Sequence, residues 1–180
     1  MKKKIIILFI VILLFVVGSI TVVNFIVNKD VIKTEGIDLT YRIYTTDGVS
    51  RWFKNGQVAE VKNKKVTGLE SKIKTSYNGH ILYNSLSSTN TFDDNDSYDG
   101  DIAGNKKDAF FGVKFNLTDE LYKKYKIYYR TYNKKDGWLD WADTYMISGD
   151  NEVDIEKIQI RILKIDDKLD GETKTPSKGF

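Results

Sequence analysis

The sequence predicts an all-β domain of three related units, a pseudo-threefold fold, behind an N-terminal transmembrane helix. Three observations lead there. Apolar and polar residues alternate with period two along the body, an aromatic motif recurs about every forty residues, and one long uncharged apolar run stands at the N-terminus.

That run comes first. Ile5 to Val27 is 23 positions with only Gly18, Ser19, Thr21 and Asn24 as non-apolar members. As a helix it would reach about 34 Å, against a hydrocarbon core of about 30 Å. A segment crossing lipid must satisfy its own backbone hydrogen bonds, so a helix is expected in spite of the many β-branched residues. Lys2, Lys3 and Lys4 precede it, which predicts a cytoplasmic N-terminus and an extracellular C-terminal domain on a single-pass membrane protein. The competing reading is a cleaved signal peptide, with Ile5 to Val17 as its apolar stretch and Val17-Gly18-Ser19 as the cut site. The anchor is preferred because apolar residues continue from Ile20 to Val27.

Residues 1–30 thus form the lysine cluster and anchor, 31–36 a tether, 37–165 the folded body, and 166–180 a polar tail expected to be disordered. Val113, Phe115 and Leu117 alternate with Lys114 and Asn116, and Ile158, Ile160 and Ile162 with Gln159 and Arg161. Period two with aromatic and β-branched residues means strands. Only Thr118 to Tyr125, with Thr118 as cap, has the pattern of a short helix.

Within the body, Tyr41-Arg42-Ile43-Tyr44 is echoed at Tyr83-Asn84-Ser85-Leu86 and at Tyr129-Arg130-Thr131-Tyr132, with separations of 42 and 46 residues. Asp47-Gly48 is followed by Trp52, and Asp136-Gly137 by Trp141, at the same spacing. Aligning the closing strands on Glu70, Phe111 and Glu156 gives separations of 41 and 45. Units of this size that cannot bury an apolar face alone suit a prism of three sheets, with a β-trefoil or a sandwich as alternatives.

Residues 125–163, with Gly137-Trp138, Trp141 and the closing Ile155-Glu156-Lys157-Ile158-Gln159-Ile160, resemble the clostridial hydrophobic repeat with a central Gly-Trp, the ChW repeat. Residues 37–75 match less well, since Val49 replaces the first Trp, and 79–118 lack Gly-Trp altogether. The resemblance implies a Gram-positive cell-surface module that binds surface or extracellular polymers.

Composition narrows the chemistry. Of 28 basic and 25 acidic residues, four basic and one acidic lie in the first thirty, so the body carries 24 of each. A neutral body argues against nucleic acid as partner. The chain has no Cys, which removes disulfides, thiolate metal sites and lipoprotein acylation, and its one His, His80, leaves no His-based triad. His80 follows Asn78-Gly79 and reads as a strand start after a tight turn.

Trp138, Trp141, Trp52 and Tyr132 are the candidate ligand-binding residues, because the C–H face of a sugar ring and an aromatic face shed water together. Tryptophans in a repeat can equally fill the core. Trp138 and Trp141, three apart, point to opposite faces on a strand but can converge in a turn. Tyr44 and Tyr145 are weaker candidates. The loop from Asp93 to Asp101 is acidic, yet Lys106 stands where an EF-hand needs its closing Glu, so a solvated insertion is preferred over a calcium site. No Asp/Glu pair stands out for glycoside hydrolysis; Asp140, Asp143, Glu70 and Glu156 read as surface or ion-paired groups. The expectation is a non-enzymatic module without cofactor or metal, binding a surface or extracellular polymer, with carbohydrate as the first reading. A protein-interaction subunit at the cell surface is the alternative, and a surface hydrolase the third reading.

Overall fold

The computed structural model describes residues 31–92 and 96–180. The anchor helix expected over 5–27 lies outside them, and among the described residues no helix is long and apolar enough to cross a membrane.

The chain from Ile32 on is all-β. The first run holds β1 (Ile37–Thr45), β2 (Gly48–Val49), β3 (Phe53–Lys54), β4 (Val58–Glu60) and β5 (Gly68–Thr75). The second holds β6 (Ile81–Ser87), β7 (Ser97–Tyr98), β8 (Ile102–Ala103) and β9 (Phe110–Leu117). After α1 (Asp119–Lys124) come β10 (Tyr125–Asn133), β11 (Gly137–Trp138), β12 (Ala142–Asp143), β13 (Ser148–Asp150), β14 (Lys157–Lys164) and β15 (Ser177–Lys178). The short helix forms where Thr118 predicts it, although the Thr118 hydroxyl makes no cap bond and takes the His80 N–H instead.

Three sheets result, each built on a long antiparallel pair: β1 with β5, β10 with β14, and β6 with β9. The alternation seen in the sequence is what buries one face of each pair. On β1, Ile37, Leu39, Tyr41 and Ile43 turn inward; on β10, Ile127 and Tyr129; on β14, Ile158, Ile160 and Ile162. These side chains and those of β6 and β9 form one continuous core. Each closing strand then receives a short strand from a different run: β8 on β5, β13 on β9, and β4 on β14. The exchange closes on itself, so no run completes its sheet without another.

The recurring tyrosines fasten this exchange. Tyr41, Tyr83 and Tyr129 are all but fully buried and pair with Ser71, Phe115 and Ile160 across their own sheets. The Tyr41 hydroxyl donates to the Gln57 carbonyl just before β4, that of Tyr83 to Asp101 before β8, and that of Tyr129 to Met146 before β13. Ile160 N–H donates to the Tyr41 oxygen at 3.2 Å and Ser71 N–H to that of Tyr83 at 3.1 Å, while Tyr129 meets Phe115 of the neighbouring run ring to ring at 4.8 Å. A buried phenol must find such partners, and here each one joins two different runs.

The strand pairing corrects the alignment of the closing strands. Glu70 faces Arg42, and the residues facing the corresponding Asn84 and Arg130 are Lys114 and Gln159, not Phe111 and Glu156. A shift of three is odd and would send the inward residues outward, so core alternation, not the shared Glu, sets the register.

Two boundary expectations also change. The tether is packed: Ile32 N–H donates to Asn55 O at 2.8 Å and the Thr34 hydroxyl to Ile162 O at 2.7 Å. The tail expected to be disordered is ordered, with β15 running parallel to β13 and Pro176 buried. Its polar side chains hid this, because the tail is held by main-chain bonds to a free strand edge: Gly149 N–H to Pro176 O at 3.2 Å and Asn151 N–H to Lys178 O at 3.1 Å.

Candidate functional site

Two aromatic–cation stacks occupy equivalent places on the β1 and β10 sheets. The turns that build them have the same register, with Tyr44 opposite Val49 and Tyr132 opposite Trp138. Trp52 therefore precedes β3 as Trp141 precedes β12. In the first stack the Arg42 guanidinium carbon lies 4.5 Å from the Trp52 ring centre and Lys72 Nζ 4.0 Å, with Tyr44 5.4 Å from Arg42. Arg42 is neutralised by Glu70 at 2.6 Å, and the Tyr44 hydroxyl donates to the same carboxylate at 2.8 Å.

In the second stack Trp138 and Trp141 converge. Arg130 lies between them, 4.6 Å from one ring centre and 4.5 Å from the other, and Arg161 adds a second guanidinium 4.5 Å from Trp141. Burial, then the charge of Arg161, push the Arg130 guanidinium below its ordinary pKa.

The four candidates fare differently. Trp141 is 1% exposed, packed with Tyr128, Leu163, Ile32 and Leu169, and its backbone N–H donates to Glu172 O of the tail at 2.9 Å. It has no open face for a sugar. Trp138 and Tyr132 are half-buried and meet edge to face at 5.7 Å, and Trp52 is half-buried under its two cations. Tyr132 also lines a groove of about 420 Å³ with Glu60, Lys134, Glu156 and Lys157. Ion pairs flank this groove, Lys157 to Glu60 at 2.6 Å and Lys134 to Glu156 at 3.1 Å.

The remaining groups are satisfied locally. Glu70 and Glu156 are ion-paired, Asp140 accepts the Thr175 N–H at 2.9 Å, and Asp143 the Thr144 N–H at 2.6 Å. His80 Nδ1 sits 2.5 Å from Asp99. Asp93 to Asn95 lie outside the described residues, and among those described no cluster of His, Asp and Glu is arranged to hold a metal. Tyr145 is exposed. The residues that sequence reasoning missed are Arg42, Arg130 and Arg161; the first two stand inside the quoted Tyr-Arg-x-Tyr motif, a signal read only for its tyrosines.

The tail shields this stack. Removing residues 169–180 takes away Leu169 and uncovers Trp141, so a loss of about 2–3 kcal/mol is expected, with a red shift of tryptophan emission. A truncated chain with unchanged denaturation midpoint and emission would show that the tail does not seat there.

Comparison with family models, with curated proteins and with solved structures yields no match to this chain.

Proposed function

We propose that this chain is a membrane-tethered, non-enzymatic module on the outer face of the cell, built of three units about a pseudo-threefold axis as a three-sheet prism, which binds an extracellular polymer, carbohydrate in class. The anchor and orientation rest on the apolar run and its preceding lysines. The threefold reading is supported by the cyclic exchange of β4, β8 and β13 and by the three equivalent tyrosines.

One observation carries the binding reading. Trp138 is half-buried, fixed on one side by Arg130 and edge-on by Tyr132, and Tyr132 in turn lines a groove edged by charged hydrogen-bonding groups. An aromatic held rigid before binding loses little entropy on complex formation, and polar groups at its rim can engage sugar hydroxyls. Trp52 on the β1 sheet offers a second, more covered platform.

Trp138→Ala is expected to weaken polysaccharide binding at least tenfold, about 1.4 kcal/mol, while leaving the melting temperature within a few degrees of the parent. Affinity electrophoresis against immobilised polysaccharides measures the first and calorimetry the second. Unchanged retention by a folded Trp138→Ala chain refutes the platform. Copurification of a stoichiometric protein, with no retention on any polysaccharide, selects the protein-interaction alternative instead.

A further inference from the structure

The two stacks differ in one charge. Position for position, Arg42 faces Glu70, whereas Arg130 faces Gln159. The carboxylate of Glu70 fully answers Arg42, but Gln159 gives Arg130 a single neutral acceptor, Oε1 at 2.9 Å from Nε, and spends its own amide on the Gly56 carbonyl. Among the described residues the terminal nitrogens of Arg130 have no hydrogen-bond partner. Arg161, at the position of Lys72, donates to the Asp170 carbonyl at 3.2 Å, and its enclosed Nε has no partner among the described residues. The carboxylates of Asp140 and Asp170 act on Arg130 from a distance; neither is ion-paired with either arginine, and Asp140 is held by the Thr175 N–H.

Two guanidiniums thus share one ring without a carboxylate between them, and one of them also lies against half-buried Trp138. Like charges gathered in a partly buried place are unfavourable unless an anion joins them. A guanidinium with free terminal nitrogens presents the fork that fits a carboxylate.

We propose that this corner is an anion subsite, in which Arg130 binds the carboxylate of an acidic sugar whose ring stacks on Trp138, with Arg161 supplying the second positive charge. The ligand class is then a uronic-acid polysaccharide. This rests on the reading of Trp138 as a sugar platform and narrows it. The Trp52 stack, already neutralised by Glu70, has no such preference.

The test compares polygalacturonate with the same polymer after its carboxyl groups are reduced to alcohols, using the full chain. The expected result is at least tenfold tighter binding of the acidic form, with the difference shrinking as salt is raised. Gln159→Glu, which copies the Arg42–Glu70 pair, is expected to weaken polygalacturonate binding about tenfold; it also gives up the bond to the Gly56 carbonyl, so the melting temperature falls and binding is compared at a temperature where circular dichroism shows the variant folded. Equal binding of both polymers overturns the anion subsite and leaves the sugar platform standing. Binding of neither overturns both. Binding of a glycerol-phosphate polymer in preference to polygalacturonate overturns the carboxylate assignment. Tight polygalacturonate binding that survives Gln159→Glu in a folded chain overturns the role of Arg130.

Discussion

Raising the pH from 10 to 12 is expected to unfold the domain in a narrow transition. Burial is the leading cause that lifts the phenols of Tyr41, Tyr83 and Tyr129, Tyr83 to about 12 and the other two further. An unfolded tyrosine ionises near 10. A folded pKa raised above the unfolded one gives stability that is complete below pH 10 and disappears as pH climbs toward the folded value. In that window the unfolded chain has released three protons that the folded chain keeps, so stability falls by about 4 kcal/mol per pH unit. Two such units exceed or approach the whole stability of an ordinary domain, about 5–15 kcal/mol. The measurement is tyrosinate absorbance beside far-ultraviolet circular dichroism. Burial raises Tyr44, Tyr125 and Tyr128 as well, so the tyrosinate signal should lag behind that of an unfolded chain, and the share belonging to Tyr41, Tyr83 and Tyr129 should appear only as the β signal is lost. Ionisation of all eleven tyrosines before any loss of β structure contradicts the burial of these hydroxyls. Tyr83→Phe should flatten the slope by about 1.4 kcal/mol per pH unit, at a neutral-pH cost of about 1–3 kcal/mol for the acceptors it abandons.

The same tyrosines show how much the sequence discloses. Their spacing of 42 and 46 marks residues that hold equivalent pairings on β1, β6 and β10, because an inward aromatic on a long central strand needs the same neighbours each time. The matching Gly-to-Trp spacing likewise marks the same register in two turns. Long strands with one buried face write themselves into the sequence. The short strands β4, β8 and β13 do not, since Val58-Ala59-Glu60, Ile102-Ala103 and Ser148-Gly149-Asp150 are too brief for a period to show. Their partners lie in other runs, and backbone hydrogen bonds leave no trace in side-chain pattern. The tail escaped notice for the same reason. At the candidate site the aromatics were visible by type, but whether a Trp is covered depends on the distant Gly171 and Leu169, and the missing carboxylate opposite Arg130 appears only once Gln159 is placed in register.

Gly149→Ala is expected to cost at least about 4 kcal/mol, and its cause is the closeness of the strand exchange itself. Gly149 on β13 pairs with Gly112 on β9 on one side and with Ser177 of β15 on the other. Its φ is +154°, and a Cβ there would stand 2.0 Å from the Phe111 carbonyl oxygen and 2.7 Å from Gly112 Cα. Both are backbone atoms, so no side chain can swing away, and relief requires β13 to lift off β9. That movement withdraws the edge that holds the tail and disturbs the Met146 carbonyl that accepts from Tyr129. Gly48→Ala separates conformation from contact. Gly48 has a φ of +144° but nothing within 4 Å of its added Cβ, so it pays only backbone strain, about 1–3 kcal/mol. Chemical denaturation of the two variants gives the comparison, and hydrogen exchange should show the excess loss at Gly149 falling on β13 and β15. If the two substitutions cost the same, β13 does not approach β9 this closely, and the cyclic exchange of short strands loses the link that joins the third run to the second.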